Sequence, residues 1–247
     1  MADPLKTLDQ HPLRSRAGAP AQIYDSGLRS YMLGVYNYMA SGLLLTGLVA
    51  LFVASTDSVR ALFFAATGAP TGLGWVAVFA PLALVLALSF GINRFSERTV
   101  KAMFWSYAAL MGVSLATIFL AYTGVSIART FFVAASAFAA LSLWGYTTKR
   151  DLSAWGSFLI MGVFGLIIAM LVNMFLKSSV MDMIVSGIGV LLFAGLTAYD
   201  TQKIRNIYSE VKGSDFRGKA IVMGALTLYL DFINLFLFLL RFMGERR

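Results

Sequence analysis

The chain has 247 residues, of which 59% are hydrophobic and only 13% are charged, whereas a soluble domain has about 45–50% apolar and about 25% charged residues. A soluble protein of this size would expose too much apolar surface to stay dispersed, so the composition indicates an integral membrane protein. The absence of cysteine and the single histidine, His11, exclude disulfides and cysteine-ligated metal centres, and leave no constituents for Ser-His-Asp catalysis.

Seven stretches contain the roughly 20 mostly apolar residues that a transmembrane helix needs. They are predicted spans 1 to 7, at residues 29–54, 74–93, 102–122, 127–147, 153–176, 180–200 and 220–242. Short connections between several of them make neighbouring spans antiparallel. We predict an all-α membrane protein, in which a polar, cytoplasmic N-terminal tail (1–28) precedes a seven-transmembrane helical bundle (29–247).

The lysines and arginines indicate an orientation. With the N-terminus in the cytoplasm, most of the 20 basic residues fall in cytoplasmic segments, as the positive-inside rule requires. The net charge of +8 is therefore explained by the membrane, and we predict no nucleic-acid partner. Arg241, at the end of span 7, and Arg246 and Arg247, beyond it, would lie outside, against this bias. A seventh span that re-enters without crossing is the alternative.

Asp231 lies about 11 residues, or about 16 Å, from either edge of span 7 at a rise of ~1.5 Å per residue. An ionised carboxylate near the bilayer centre is costly, so the group must be protonated, paired or hydrated, and a functional role is the default hypothesis. The alternative is a protonated aspartate that bonds another helix. Asn173, deep in span 5, and Asn234, on the same face of span 7, are the predicted hydrogen-bond partners.

Asp200 sits at the predicted inner end of span 6, where it meets Asp231 if spans 6 and 7 pack side by side; alone, it could equally face water. Two carboxylates in a low-dielectric site do not ionise together, so the pair shares a proton and titrates as a unit. We predict a pH-sensitive latch that, once deprotonated, offers oxygens to a cation such as Ca²⁺. Arg94, at the exit of span 2, is a candidate gate partner, and membrane anchoring is its alternative role.

Two motifs carry a resemblance to a known family. The segments are Gly195-Leu-Thr-Ala-Tyr-Asp200-Thr-Gln-Lys-Ile and Gly224-Ala-Leu-Thr-Leu-Tyr-Leu-Asp231-Phe-Ile-Asn-Leu-Phe. Together they resemble the bacterial branch of the Bax inhibitor-1 family of membrane proteins, and the resemblance covers about residues 25–245. Tyr199, within the first motif, is a predicted supporting polar residue of the site.

The resemblance implies a bundle whose last helix is central and is surrounded by the other six. It also implies a pH-sensitive calcium leak channel, with Asp200 and Asp231 as its di-aspartyl sensor and Arg94 as its gate arginine. Some members carry an acidic residue inside the second span, and residues 74–93 contain none, which puts an ion path there in doubt. Bacterial members are linked to membrane AAA proteases as modulators, and eukaryotic members to suppression of cell death.

Three functions are therefore weighed. The first is a Ca²⁺ leak channel in the bacterial inner membrane, with the lipid bilayer and Ca²⁺ as partners and no cofactor. The second is a modulator of a membrane AAA protease, or a stress or cell-death regulator, without transport activity; residues 1–28 would then be the docking segment. The third is an intramembrane aspartyl protease, because Tyr199-Asp200 matches half of that pattern. The Gly-x-Gly-Asp half is absent, so we predict no enzyme.

Overall fold

The computed structural model describes the backbone of residues 19–65 and 67–247 and the side chains from residue 26 onward. Over these residues the chain is helical, without a named strand. The helices are α1 (Ala19–Ser55), α2 (Asp57–Phe63), α3 (Gly72–Gly91), α4 (Glu97–Ala121), α5 (Gly124–Thr147), α6 (Ser153–Leu176), α7 (Ser179–Val211) and α8 (Arg217–Met243). All except α2 are long and apolar enough to cross a membrane. The predicted fold class is confirmed.

Two helices extend much further than predicted. α1 already begins at Ala19, within the predicted tail, whose residues 1–18 lie outside the described part of the chain. α7 continues past residue 200 to Val211. The apolar run ends near Asp200, but Ile204, Tyr208 and Val211 follow at helical spacing and are buried. This amphipathic continuation keeps the helix packed on the bundle after its uniformly apolar part has ended.

The short connections are set by side chains that cap the following helices. Thr71, Ser96, Thr123 and Ser178 each accept a hydrogen bond from the backbone N–H three residues on, at the start of α3, α4, α5 and α7. A Ser or Thr cap satisfies one of the N–H groups that a helix start leaves without an intrahelical partner. The capped starts explain how tight turns separate such long apolar helices.

α8 is the central helix of the bundle. It packs mainly against α7, α1, α5 and α4, while α3 lies outside on α4 and α6 lies outside on α7. Within the apolar windows of these helices, 67% of the residues of α8 are buried, against 11% of those of α6. The prediction of a central last helix is therefore confirmed, with four of the other spans forming its immediate shell.

α8 runs through the full height of the bundle. Near its start, Lys219 Nζ donates to the carbonyl of Ile92, 3.1 Å away, in the connection between α3 and α4. Beyond its end, Thr123 N, in the connection between α4 and α5, donates to the carbonyl of Glu245 at 3.2 Å. These two connections lie at opposite ends of α4, so α8 crosses alongside it. The re-entrant alternative for the last span is wrong.

Small residues on α7 allow it to pack closely against α8 and α6. A Cβ atom added to Gly189 would lie 2.5 Å from the ring of Phe238 on α8, and one added to Gly195 would lie 2.9 Å from Leu159 on α6. Both distances are too short for any side chain. Helices in a membrane associate through such packing, because apolar side chains gain little by leaving lipid for protein.

Candidate functional site

The two sequence-predicted aspartates meet in the bundle core. The side chains of Asp200 of α7 and Asp231 of α8 lie within hydrogen-bonding reach of each other, and they are 9% and 4% exposed. A carboxylate only accepts hydrogen bonds, so a bond between two carboxyl groups requires a proton on one of them. The contact is therefore able to hold one proton between the central helix and its principal neighbour.

The depth of Asp200 differs from the prediction. The sequence placed it at the inner end of its helix, whereas α7 continues to Val211, about 16 Å further along at ~1.5 Å per residue. Asp231 lies about 21 Å from the start of α8 and about 18 Å from its end, by the same rise. Both carboxyl groups are thus well inside the bundle.

One carboxyl oxygen of the pair has no protein partner. Among the described residues, nothing forms a hydrogen bond with Asp231 Oδ2, although it is buried. A buried polar atom without a partner is rare and needs a role, such as contact with water or an ion. The free oxygen is therefore the point at which the pair can accept a further ligand.

The two asparagines predicted to support Asp231 bond elsewhere. Asn234 Nδ2 donates to the carbonyl of Leu230, one turn earlier in α8, at 2.8 Å. Asn173 Oδ1 accepts from Ser178 N at 3.0 Å and so closes the turn after α6. Polar side chains on a helix often bond backbone groups within reach of their own turn, and the prediction that these two would partner Asp231 is corrected accordingly.

Tyr199 and Lys203 lie on the α6 side of α7. A Cβ atom added to Gly156 on α6 would lie 2.5 Å from the Tyr199 ring, so that ring packs against α6. Lys203 Nζ lies 6.0 Å from the centroid of the same ring, and its charge acts on Asp200. Tyr199 is therefore adjacent to Asp200 in sequence, but its ring packs against α6. Lys203, which was not predicted, is a cation whose charge acts on Asp200.

Arg94 is not at the aspartate pair in this structure. It lies exposed in the turn after α3, and α3 packs against α4 and α2. The described side chains show no ion pair between Arg94 and either Asp200 or Asp231. Its predicted role as a gate partner stays a prediction that would require α3 to move.

The pair is too sparse to be a resident calcium site. Within the described residues, no three His, Cys, Asp or Glu side chains form a group that could hold a metal ion. Ca²⁺ takes 6–8 oxygen ligands, more than two carboxyl groups supply. The arrangement suits brief contact with a passing ion better than stable binding.

Two stacked rings cover the pair on the side where α7 begins and α8 ends, which is the outer side in the predicted orientation. Phe193 of α7 and Phe238 of α8 are buried, with centroids 5.7 Å apart and ring planes 21° from parallel. Each lies seven residues from its helix's aspartate, or about 10 Å at the helical rise. The rings fill the α7–α8 seam between the aspartates and its outer end.

An ion pair lies at that outer end and was missed by the sequence analysis. Asp182, in the first turn of α7, pairs with Arg241, in the last turn of α8. They border a cavity of about 320 Å³ together with Asn173 and Lys177. The sequence could have predicted this pair, because one acid and one base lie at the adjacent ends of two helices that were already predicted to be neighbours.

The residues just after Asp200 fix α7 to its surroundings. Thr201 Oγ1 lies 2.9 Å from Ser142 Oγ of α5, which in turn lies 2.6 Å from the hydroxyl of Tyr36 on α1. Gln202 Oε1 accepts from Leu152 N, and its Nε2 donates to the carbonyl of Arg150, both at 2.8 Å. Buried polar groups bonded in this way hold the helix at one register.

Seven apolar helices, one of them central and joined to its neighbour by a buried acidic pair, define a multi-pass helical membrane protein. The family described as inhibitor of apoptosis-promoting Bax1 matches residues 28–247. The chain therefore belongs to the Bax inhibitor-1 family, as the motifs around Asp200 and Asp231 predicted.

Bacterial relatives match nearly the whole chain. A protein of Rickettsia prowazekii is 51% identical, covering 91% of this chain and 93% of its own length. A protein of Caulobacter vibrioides is 48% identical, over 90% and 91%. The inner membrane protein YbhL of Escherichia coli is also 48% identical, over 90% and 94%.

Proposed function

We propose that this protein is a pH-sensitive cation leak channel, permeable to Ca²⁺, whose closed state is held by the Asp200–Asp231 pair. The observation that carries the proposal is the proton-requiring bond between the central helix and its main neighbour. The inner membrane is the proposed location, supported by the printed description of YbhL and by the distribution of basic residues, which also supports a cytoplasmic N-terminus. The proposed role is not enzymatic.

The number of protons on the pair sets the state of the α7–α8 seam. With one proton, a charge-assisted hydrogen bond joins the helices. Loss of that proton leaves two like charges in a poorly solvated site, and they repel. Addition of a second proton removes the charge that strengthens the bond. The closed state is therefore strongest when the pair holds one proton, and the two titration steps belong to the pair as a whole.

The proposed ion path follows the α7–α8 seam. Asp231 Oδ2 is the oxygen available to a cation, and the Phe193–Phe238 stack closes the way to the outer cavity at Asp182 and Arg241. Separation of α7 from α8 moves both obstacles, because each is built from one residue of either helix. Opening thus depends on the contact that the shared proton maintains.

The test is calcium flux into liposomes that contain the purified protein, measured across a range of pH. We expect flux to be lowest at an intermediate pH and to rise on either side. Asp200→Asn and Asp231→Asn should each remove the rise at alkaline pH, because an amide donates to the remaining carboxylate and there is no shared proton to lose. Asp151→Asn is the matched control, since Asp151 lies in the exposed connection between α5 and α6. An unchanged pH profile in both core variants would overturn the proposal.

The rival function is modulation of a membrane AAA protease, or of a stress or cell-death response, without transport. It is favoured by α6, which buries only 11% of its apolar window and so leaves a broad face for lipid or for another membrane helix. The same liposomes separate the two functions. No flux from the wild-type protein, together with its co-purification with the protease, would support modulation.

A further inference from the structure

A cleft separates α1 from α5 on the side of the bundle where α1 begins. It has a volume of about 390 Å³, within the ~300–1,000 Å³ of ordinary ligand sites. Met32 and Phe138 form buried parts of its wall, whereas Leu33 and Leu143 also line it and are exposed. The cleft therefore opens sideways between two membrane-spanning helices, toward the hydrocarbon.

One arginine lines this cleft, and two arginines of other helices bond residues at or next to it. Arg29 of α1 is exposed and lines the cleft itself. Arg205 of α7 donates to the carbonyl of Tyr146, a lining residue of α5. Arg217 of α8 donates to Ser30 Oγ, next to Arg29, at 3.4 Å.

No acidic side chain is among the described residues that line the cleft, and the ion pairs within the described chain do not include Arg29. The end of the cleft is thus positively charged, and a guanidinium group suits a phosphate through paired N–H groups.

The cleft is short enough to lie within one leaflet of the bilayer. Arg29 and Tyr36 mark its two ends on α1 and are about 10 Å apart at the helical rise, within the ~15 Å that one leaflet contributes to a ~30 Å hydrocarbon core. The deep end is closed by the hydrogen bond between Tyr36 and Ser142. An acyl chain entering from the charged end therefore reaches a polar floor before the bilayer centre.

We propose that the α1–α5 cleft binds an anionic phospholipid, with one acyl chain against Met32, Phe138 and Leu143 and its phosphate at Arg29. The opening toward hydrocarbon selects a lipid chain, and the charge of Arg29 selects a negative headgroup. This binding site does not depend on the channel proposal, because it uses neither aspartate.

The test is native mass spectrometry of the full-length protein with phosphatidylglycerol or with zwitterionic phosphatidylcholine of the same chains. We expect phosphatidylglycerol to bind more tightly, and Arg29→Gln to weaken its binding about fivefold, the effect of one cation near an anionic headgroup. Ala139→Phe, at a residue lining the cleft, should block both lipids. Glycerol 1-phosphate, a headgroup without chains, should not compete.

Two matched controls come from the same structure. Arg98 is an exposed arginine in the first turn of α4, and Ala140 is an exposed neighbour of Ala139; neither is among the residues lining the cleft. Arg98→Gln and Ala140→Phe should bind lipid as the wild type does. Equal binding of the two lipids, or wild-type binding by Arg29→Gln, would overturn the proposal. Should Ala139→Phe fail to fold, the surface substitution Arg29→Gln decides alone.

Discussion

The α7–α8 seam contains two polar pairs of opposite character. At its outer end, Asp182 and Arg241 form an ion pair whose side chains are 28% and 37% exposed, respectively. In the core, Asp200 and Asp231 form a buried pair of two acids. The acid–base pair is neutral as it stands, whereas the acid–acid pair depends on a proton. The same two helices are therefore joined by one contact that salt should weaken and by another whose bond depends on a proton.

The buried position in the core holds the two acids, Asp200 and Asp231, which cannot readily both be charged. Burial of an unpaired charge is strongly unfavourable, and a group in such a place takes up a proton instead. An ion pair partly in water loses less hydration but is weakened by salt. Under the proposed function, protons act at the centre of the seam, and the two pairs must be kept apart.

The largest expected effect comes from removing the ring that separates the pairs. Phe238→Ala should reduce the free energy of unfolding by about 3–5 kcal/mol, as loss of a buried aromatic ring does. Phe238 is buried against Phe193, whereas Phe242, one turn later, is exposed. Reversible unfolding in mixed micelles measures the change, with Phe242→Ala as the matched control. Equal effects of the two substitutions would show that the stacked rings do not seal the seam.

A smaller effect is expected at the core pair, and it should depend on pH. Asp231→Ala removes a hydrogen bond to a charged group, which contributes about 1.5–3 kcal/mol. Asp231→Asn keeps a donor for Asp200 and should retain most of the stability. The wild type should lose stability when alkaline pH removes the shared proton, while Asp231→Asn should not. Unfolding free energies at several pH values measure this, and the same alkaline loss in both proteins would contradict it.

The outer ion pair should contribute less, about 1 kcal/mol or below, because it is partly exposed. Arg241 also lies in the last turn of α8, where a cation is favoured by the helix dipole. A double-mutant cycle of Asp182→Asn and Arg241→Gln measures the coupling, and it should shrink in about 1 M salt, where the Debye length is ~3 Å. Arg246→Gln, beyond the helix, is the control. A coupling that salt does not change would remove the contrast with the core pair.

Much of this architecture could be predicted from the sequence, because lipid imposes a simple rule on helix length and polarity. The seven spans, the meeting of Asp200 with Asp231 and the central last helix all followed from that rule or from the family motifs. The end of α7 did not, since hydropathy falls at Asp200 while the buried face continues through Ile204 and Tyr208. A window that averages all faces of a helix cannot detect a single buried face.

The partners of individual side chains were harder to predict. Asn234 was assigned to Asp231 because it lies on the same helix face, yet it bonds the backbone of its own helix. The Asp182–Arg241 pair was missed because Arg241 was interpreted only as part of the charge bias, whereas it lies in the last turn of α8 beside the start of α7. Sequence spacing gives the face of a helix but does not give the competing partners on that face.

The smallest expected effect concerns Asp151, an exposed aspartate that serves as the reference for the two pairs. The backbone N–H of Ser153 donates to its Oδ1 at 2.9 Å. This bond, with a weaker one from the Ser153 hydroxyl, lowers the pKa of Asp151 below its usual value. The charged form is the one stabilised, so the contribution to stability is present above the unfolded pKa and is lost as the pH falls through the folded pKa.

A carboxyl-carbon NMR titration of Asp151 should therefore give a midpoint on the acid side of an ordinary aspartate. Ser153→Ala should move that midpoint only part of the way back, because the backbone bond remains. Asp151→Asn should change the unfolding free energy slightly and only above the acid range, whereas Asp231→Asn should act at the alkaline end. A midpoint at or above the ordinary value would show that hydrogen bonding does not control this carboxyl group. Asp151 would then be unsuitable as the exposed reference with which the pH response of the Asp200–Asp231 pair is compared.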